Sequence, residues 1–274
     1  MTQIPEDIIT PADPLPFAPI RMGALSVKIA QTREEILEAQ QLRYHVFCNE
    51  MGATPSVQQE RERRDYDEYD PYCDHLLVLH HDEENETPRI VGTYRLLRAE
   101  KMKKLGRFYS ESEFDIARLK VFPGNVMELG RSCVDKDFRS KAAMQLLWRG
   151  IGEYVTHYGI DLMFGCASFH GRPEEHKEAL SYLYHFHLAP EEIRACALPD
   201  QYVEMNLLPK ESIDQKRVFV GLPVLIKGYL RLAGVIGEGA VYDAAFNTTD
   251  VNIVVRTAGV DTRYVSKYAP DKTS

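Results

Sequence analysis

The amino-acid sequence predicts a mixed α+β fold, and three observations support this class. Short apolar runs that alternate as β-strands do are interspersed with stretches of helical periodicity, the strands precede and alternate with the helices, and no internal repeat occurs. The chain has 274 residues, of which 44% are hydrophobic and 27% charged, so collagen, coiled coils and wholesale disorder are excluded. No break in composition indicates a second independent core.

The predicted elements follow one another along the chain. Residues 1–20 form an arm that is rich in proline and has no core of its own. Thr32 and Glu35 form a T-x-x-E capping box, which begins a helix that extends to about Glu50, and the polar residues 58–75 form a loop. Strands are predicted at 25–30, 75–80, 90–97, 126–134, 161–167 and 251–255, and further helices near 113–119, at 141–158, within 174–184 and at 223–232.

Charge and cysteine content narrow the class of protein. The chain carries 33 basic against 41 acidic residues, which argues against nucleic-acid binding as a global property. Its five cysteines are widely spaced and form no CxxC pair, so a reducing cytosol is expected rather than a disulfide scaffold or a structural zinc site. The N-terminus does not resemble a secretory signal, and the longest apolar stretch is interrupted by Pro223, Lys227 and Arg231, so no membrane crossing is expected.

Charged residues in apolar surroundings mark a candidate site. Arg43 lies on the apolar face of the first helix, where a guanidinium must be paired, point into a cavity or extend past the edge of the core. Glu128 and Arg131 lie inside an apolar strand, where Gly130 permits a bulge; a structural ion pair is the alternative. Residues 134–143 lead into a helix N-terminus, whose free N–H groups favour a phosphate or a developing oxyanion.

Four short motifs occur in a characteristic order, namely LRYHVF at 42–47, DPYCDH at 70–75, GTYRLL at 92–97 and ELGRSCV at 128–134. This order resembles the acyl-homoserine-lactone synthase branch of the GNAT superfamily of acyltransferases. The resemblance implies a GNAT-like fold with a central mixed twisted sheet flanked by helices, here followed by a C-terminal extension. It also implies that six residues line the active site: Arg43, Phe47, Asp74, Arg95, Glu128 and Arg131.

Three later motifs, GCASFHG, LPVLIKGYLR and FNTTDV, are similar to the bacterial ornithine-lipid N-acyltransferases, which make lyso-ornithine lipid from a 3-hydroxyacyl-carrier protein. This similarity spans roughly residues 25–256. The tryptophan that the lactone synthases have shortly after their phenylalanine is absent, since Trp148 is the single tryptophan of the chain. We therefore expect an acyltransferase domain at residues 21–258, with a tail at 259–274.

The implied reaction joins an amine to an acyl thioester, and the expected catalytic residues are Glu128, Arg131 and Val134. Glu128 is the candidate general base, directly or through one water. A backbone N–H at the end of the strand, that of Cys133 or Val134, would stabilise the oxyanion. No bound cofactor or metal is expected, since the co-substrate is the acyl thioester of a phosphopantetheine arm and four histidines lack metal-ligand spacing: His170, His176, His185 and His187.

The expected acceptor is a free amino acid, with L-ornithine implied by the resemblance. The expected substrate-binding residues are Arg43, Phe47, Asp74 and Arg95. One of the arginines would bind the carboxylate of the acceptor, and Asp74, or the loop acids Asp67 and Asp70, would meet the second cation of ornithine. The alternatives are acylation of glutamine, glycine or lysine, a lactone-type synthase that uses S-adenosylmethionine, and a non-catalytic binding module.

The acyl donor is expected to bind at Arg139, Ser140 and Lys141. This segment keeps the arginine of the GNAT pyrophosphate signature but has Ala142 and Met144 at the two small positions, which favours a carrier protein over coenzyme A.

A basic patch would attract an acidic carrier protein, unless it is merely a solvated face: Arg98, Lys101, Lys103, Lys104 and Arg107. The expected location is the cytoplasm, and the apolar segment 223–232 is either a buried helix or a peripheral contact with the inner membrane.

Overall fold

The computed structural model describes residues 15–82 and 87–259. The described strands are β1 (Ile20–Met22), β2 (Leu25–Ile29), β3 (Asp74–His80), β4 (Arg89–Arg98), β5 (Phe114–Asp115), β6 (Asn125–Val134), β7 (Ile160–His170), β8 (Cys196–Ala197), β9 (Val235–Ile236), β10 (Val241–Asp243) and β11 (Thr248–Arg256). The described α-helices are α1 (Arg33–Tyr44), α2 (Val57–Glu62), α3 (Ala99–Leu105), α4 (Ala117–Lys120), α5 (Lys141–Tyr158), α6 (Lys177–His187), α7 (Gln215–Gly221) and α8 (Val224–Arg231). A π-helix, His45–Glu50, follows α1 directly.

The chain divides into two compact units. Within the described residues, the first unit comprises 15–82, 87–106 and 129–160, and the second comprises 107–128 and 161–259. Most of the predicted arm and tail lies outside the described residues, so those predictions remain untested.

The first unit is a sheet with a layer of helix on each face. Its strands follow the order β1-β2-β3-β4 with antiparallel pairing, and the part of β6 from Leu129 onward follows β4. Since side chains alternate along a strand, Leu77 and Leu79 of β3 face α1, whereas Leu76 faces α5. The cluster under α1 and the π-helix is apolar: Ala39, Leu42, Val46, Leu77, Leu79, Ile90 and Cys133.

The second unit contains an antiparallel pair of long strands with unlike faces. β7 pairs with β11, β10 continues the sheet beyond β11, and β9 also pairs with β11. The register sets Ser168 opposite Asp250 and Cys166 opposite Asn252, so polar residues share one face. The other face is apolar, with Val251 opposite Ala167 and Ile253 opposite Gly165. A separate short pair joins β5 to β8.

The mixed α+β class is confirmed, and so are most of the predicted elements. The helix at 141–158 begins after the N-cap Ser140 and ends at Gly159, which has a φ of 57°. Thr32 caps α1, but the Glu35 carboxylate accepts a hydrogen bond from the N–H of Gln31 rather than from that of Thr32. The expected helix to about Glu50 is α-helical only to Tyr44, and its last turns are the π-helix.

Three predictions were wrong in detail. Part of the polar stretch 58–75 belongs to α2, because Ser56 and Gln59 form a capping box that begins a short helix. Around 113–119, β5 precedes the four-residue α4, because Phe114 and Asp115 pair with β8. The predicted arm already contains the first residue of β1, which pairs with β2.

All five cysteines are free thiols, and burial raises the pKa of Cys133 and Cys166. Segment 223–232 forms α8, which buries Ile226, Tyr229 and Leu230 and exposes Val224, and a peripheral membrane contact stays a prediction. Among the described residues, no helix combines the length and the apolar character that crossing a bilayer requires.

Replacing Gly150 by alanine is expected to lower the free energy of unfolding by about 1–2 kcal/mol. A Cβ on Gly150 would lie 2.8 Å from Leu76 Cδ1 and 2.9 Å from Val27 Cγ2, and relieving this overlap costs more than the gain in helix propensity. The matched control is Gly152→Ala in the same helix, where nothing lies within 4 Å of the added Cβ, so stability should rise by about 0.5–1 kcal/mol. Urea unfolding measures both, and equal effects would contradict the packing described for α5.

Candidate active site

Arg43 is fully buried and bound by two aspartates of the following loop. Its Nε donates to Asp65 Oδ2 at 2.7 Å, and its two terminal nitrogens donate to the Asp70 carboxylate at 2.7 and 2.9 Å. Burial acts to raise the pKa of Asp70, but the guanidiniums of Arg43 and Arg95 outweigh it and hold that pKa well below its usual range. Arg43 is therefore paired, as one of the alternatives for this residue anticipated.

Two further arginines join the same group, which we call the arginine–aspartate cluster: Arg43, Arg95, Arg131, Asp65, Asp67 and Asp70. Arg95 Nη1 lies 2.6 Å from Asp67 Oδ1 and 3.5 Å from Asp70 Oδ2. Arg131 lies 3.5 Å from both Asp65 and Asp67. Burial raises the pKa of Asp67, but the arginines beside it produce a net lowering. The loop acids that were expected to meet a second substrate cation thus already have cationic partners in the chain.

Local backbone geometry places Arg131 and Arg95. Arg131 has a φ of 51°, a left-handed conformation that is uncommon for a non-glycine residue in a strand and that fits the bulge expected beside Gly130. A Cβ on Gly130 would lie 4.0 Å from Arg95 Nη2, so the guanidinium of Arg95 lies over this glycine. Among the three arginines, the side chain of Arg131 is the most exposed, at 14% against 4% for Arg95 and 1% for Arg43.

Asp74 belongs to a different network, formed with the last residue of β4 and with residues of α3 and α5. Its carboxylate accepts hydrogen bonds from Lys101 Nζ at 2.7 Å and from the Tyr154 hydroxyl at 2.5 Å, and Arg98 lies 3.5 Å away. Burial acts to raise the pKa of Asp74, but Lys101 and its hydrogen bonds produce a net lowering. Phe47, in the π-helix, is half-buried against the apolar cluster under α1.

The predicted basic patch requires a correction at Arg98. This side chain is 6% exposed, pairs with Asp74 and Glu100, and stacks 3.7 Å from the centre of the Tyr158 ring. A cation buried in this way does not present its charge to a partner surface. Lys101 is half-buried in its pair with Asp74, and the exposed members of the patch are Lys103, Lys104 and Arg107.

The predicted donor-binding residues lie at the N-terminus of α5. Ser140 caps the helix by accepting from the N–H of Ala143 at 3.3 Å, and Arg139, Ser140 and Lys141 are exposed. Arg139 Nε donates to the Val134 carbonyl at 3.0 Å, and its guanidinium also pairs with Glu50. The helix dipole and these exposed positions suit an anionic group.

Glu128 lies in the second unit, where a single turn holds its carboxylate. Oε2 accepts from the Tyr109 N–H at 2.8 Å, and Oε1 accepts from the Ser110 N–H at 2.7 Å and from the Ser110 hydroxyl at 2.6 Å. The Ser110 hydroxyl also lies 3.5 Å from Cys166 Sγ. Glu128 is 4% exposed, so its orientation is fixed by neighbours rather than by solvent.

A group of acids near Glu128 did not emerge from the sequence. Carboxylate oxygens of Glu113, Asp243 and Asp250 lie within 4.8 Å of one another. The signal was present in the predicted strand around 251–255, where Asp250 and Asn252 alternate with apolar residues and so share one face. The histidines that were considered as metal ligands are engaged elsewhere: His176 and His185 contact main-chain carbonyls.

Comparison with known proteins adds the family context. Residues 42–149 match the model of the acetyltransferase (GNAT) domain. The L-ornithine N(alpha)-acyltransferase of Brucella abortus is 46% identical over 257 residues, which cover 92% of this chain and 91% of that protein. The L-ornithine N(alpha)-acyltransferase of Agrobacterium fabrum is 47% identical over 252 residues, which cover 90% of this chain and 86% of that protein. The expected GNAT-like fold is thereby confirmed.

Two solved structures were also similar. One is an N-acyl amino acid synthase from uncultured soil microbes, with 10% identity and a TM-score of 0.49 over 92% of this chain and 100% of that chain. The other is the AHL synthase LasI, with 12% identity and a TM-score of 0.48 over 87% of this chain and 95% of that chain.

Replacing Arg43 by glutamine is expected to lower the free energy of unfolding by roughly 3–5 kcal/mol, because it leaves buried carboxylates without their principal cation. Arg64→Gln is the control, since Arg64 is partly exposed and pairs with Glu62, where a loss below about 1 kcal/mol is expected. Denaturant unfolding at neutral pH compares the two. A similar small loss for both variants would show that the arginine–aspartate cluster does not hold the first unit together.

Proposed function

Because this chain belongs to the family of L-ornithine N(alpha)-acyltransferases, we propose that it transfers an acyl chain from a thioester to the α-amine of L-ornithine. The observation that supports this proposal is the 46% identity to a relative of that name over nine-tenths of both chains. The donor that we propose is a 3-hydroxyacyl chain on an acyl-carrier protein, and the product is a lyso-ornithine-type aminolipid.

The reaction forms one amide bond and breaks one thioester bond. The amine nitrogen attacks the thioester carbonyl, the carbon–nitrogen bond forms, and the phosphopantetheine sulfur leaves with the electrons of the carbon–sulfur bond. An α-amine is mostly protonated near neutral pH, so the nucleophile must first lose a proton. A second proton leaves the nitrogen during attack, and the departing thiolate takes one up.

Glu128 is the proposed general base. Its carboxylate is buried and oriented by the hydrogen bonds from Tyr109 and Ser110, which is how a base is held ready for one substrate position. The Val134 N–H as the oxyanion donor and Arg131 as a catalytic residue are part of the same proposal.

Proposed donor contacts lie in the first unit. Arg139, Ser140 and Lys141 at the N-terminus of α5 offer positive charge and a helix dipole to the phosphate of a phosphopantetheine arm. Ala142 and Met144 occupy positions where a pyrophosphate needs close backbone approach, which favours a carrier protein as donor. Lys103 and Lys104 are exposed and would attract an acidic carrier.

In the first unit, Arg131 is the cluster arginine that we propose for contact with a substrate carboxylate, since its side chain is the most exposed of the three. The substrate-binding roles of Arg43, Arg95, Phe47 and Asp74 remain predictions. The geometry gives Arg43 and Arg95 a positioning role, because both hold the acidic loop through paired aspartates.

The purified chain is expected to convert L-ornithine and a 3-hydroxyacyl-carrier protein into an N-acylated product, with one free thiol released for each amide formed. Mass spectrometry of the product and a thiol assay measure the two sides of this balance. The acceptor panel includes glutamine, glycine, lysine and S-adenosylmethionine. Preferred acylation of one of the other amino acids, formation of a lactone, or no product at all would overturn the proposal.

Glu128→Gln is expected to lower kcat by about 10²–10⁴-fold, because an amide does not take the proton from the amine. The control is Glu111→Gln in the same turn, where the carboxylate accepts from the Phe108 N–H at 2.8 Å and pairs with Lys120 at 2.8 Å. This control should leave kcat nearly unchanged. Thermal unfolding of both variants separates a loss of fold from a loss of chemistry, and equal activities would exclude Glu128 as the base.

A further inference from the structure

The polar face of β11 is the strongest feature that the proposed chemistry does not use. Thr248, Asp250 and Asn252 are alternate residues of this strand, so their side chains project to the same side. All three are at least nine-tenths buried, with exposures of 4%, 5% and 0%. Burying three polar groups side by side is costly unless a partner satisfies them.

Two of these side chains have unused hydrogen-bonding capacity. Neither the amide oxygen nor the amide nitrogen of Asn252 has a hydrogen-bond partner among the described residues, and the same holds for Thr248 Oγ1. An unsatisfied buried polar atom costs about 1–3 kcal/mol. Asn252 and Thr248 lie on either side of Asp250, so an amide oxygen that accepts, an amide nitrogen that donates and a hydroxyl that can do either flank its carboxylate on one face.

Carboxylates concentrate negative charge at the same place. Oxygens of Glu113, Asp243 and Asp250 lie within 4.8 Å of one another, and carboxylates this close attract a cation between them. Asp243 Oδ1 also accepts from the N–H groups of Ala245 and Phe246, and Glu113 and Asp250 are the buried members of the group, at 6% and 5% exposure. We call the set the acidic face: Glu113, Asp243, Thr248, Asp250 and Asn252.

The acidic face adjoins the proposed base within the second unit. Cys166 lies opposite Asn252 in the β7–β11 register, and its sulfur lies 3.5 Å from the Ser110 hydroxyl, which donates to Glu128. Burial raises the pKa of Cys166, and the charges of Glu113 and Asp250 raise it further. Ser168, opposite Asp250, is exposed, so solvent reaches this side of β7.

We propose that the acidic face binds the side-chain ammonium group of the amino-acid acceptor, with Glu113 and Asp250 as its charge partners and Thr248 and Asn252 as additional hydrogen-bonding groups. This inference rests on the proposed function and extends it to the residues that select a diamino acid. Three methylene groups separate the α-carbon of ornithine from its δ-nitrogen, so the α-amine is directed away from the acidic face while the δ-nitrogen is held there.

An organic cation fits this group better than a bare metal ion. An ammonium has three N–H donors and no acceptor, which matches carboxylate, hydroxyl and amide oxygens. Asp74, Asp67 and Asp70 bind cations of the chain itself, namely Lys101, Arg95 and Arg43.

The test compares L-ornithine with L-norvaline, which has the same side-chain carbons and lacks the δ-nitrogen. The wild-type chain should prefer ornithine by at least about 100-fold in kcat/KM. Asp250→Asn should raise KM for ornithine by about 10–100-fold with little change in kcat, and should leave the KM or inhibition constant of norvaline unchanged. Glu113→Gln is a second variant with the same expectation, in case the first does not fold.

Two comparisons make the outcome decisive. Asp200→Asn, an exposed acid of the same unit, should change neither constant, and Asp74→Asn tests the rival position. An equal loss for ornithine and norvaline in both acidic-face variants, or a loss of ornithine preference in Asp74→Asn alone, would overturn the inference.

A divalent ion is a separate outcome. If a chelator abolishes activity and Mn²⁺ restores it in the wild type but not in Asp250→Asn, the acidic face is a metal site and the inference is wrong. If the wild type does not acylate ornithine at all, the proposed function itself fails. If the wild type acylates ornithine and the acidic-face variants keep its full preference for ornithine over norvaline, only the inference is wrong.

Discussion

The first unit depends on one set of buried charges, the pairing of Arg43 with Asp65 and Asp70. Removing a guanidinium and a carboxylate from water costs several kcal/mol for each ion, and only a fully satisfied geometry offsets that cost. Here Nε and both terminal nitrogens of Arg43 have oxygen partners, and the Asp70 carbonyl also contacts the imidazole of His75 at 3.0 Å. An acidic loop of little apolar content is thereby tied to a helix and to β3. Charge orders that loop together with one buried ring, that of Tyr69, which is 5% exposed.

The two units use carboxylates in opposite ways. Asp67 and Asp70 lie beside arginines of the chain itself, and the arginines lower their pKa values despite burial. Asp250 instead lies between Thr248 and Asn252, whose polar atoms have no hydrogen-bond partner in the part of the chain that the structure describes. The arginine-bound carboxylates contribute to the architecture of the first unit, whereas the unpartnered atoms of Thr248 and Asn252 are suited to a ligand. This difference, rather than the number of acids, distinguishes the structural cluster from the proposed recognition surface.

The sequence predicted elements with strong local signals and missed those set by distant contacts. Helix α5 was bounded correctly because its apolar stripe, its N-cap Ser140 and its terminal Gly159 all agree. Arg43 stood out on an apolar helix face, but its partners lie in a loop whose path depends on tertiary contacts. Helix α2 was missed because five of its six residues are polar and show no periodicity. Within the acidic face, Glu113 directly precedes β5 whereas Asp250 lies in β11, and tertiary contacts bring the two together. The sequence showed only the alternation of polar and apolar residues within β11.

The state of Cys166 has a consequence for the kinetic order of the proposed transfer. Thioester exchange onto an enzyme thiol requires a thiolate, and burial together with Glu113 and Asp250 keeps this sulfur protonated near neutral pH. A covalent acyl-enzyme and the ping-pong kinetics that accompany it are therefore disfavoured at this position. The acyl chain would pass directly from one substrate to the other, so both must occupy the enzyme together in a ternary complex. Saturation by either substrate would then depend on the concentration of the other.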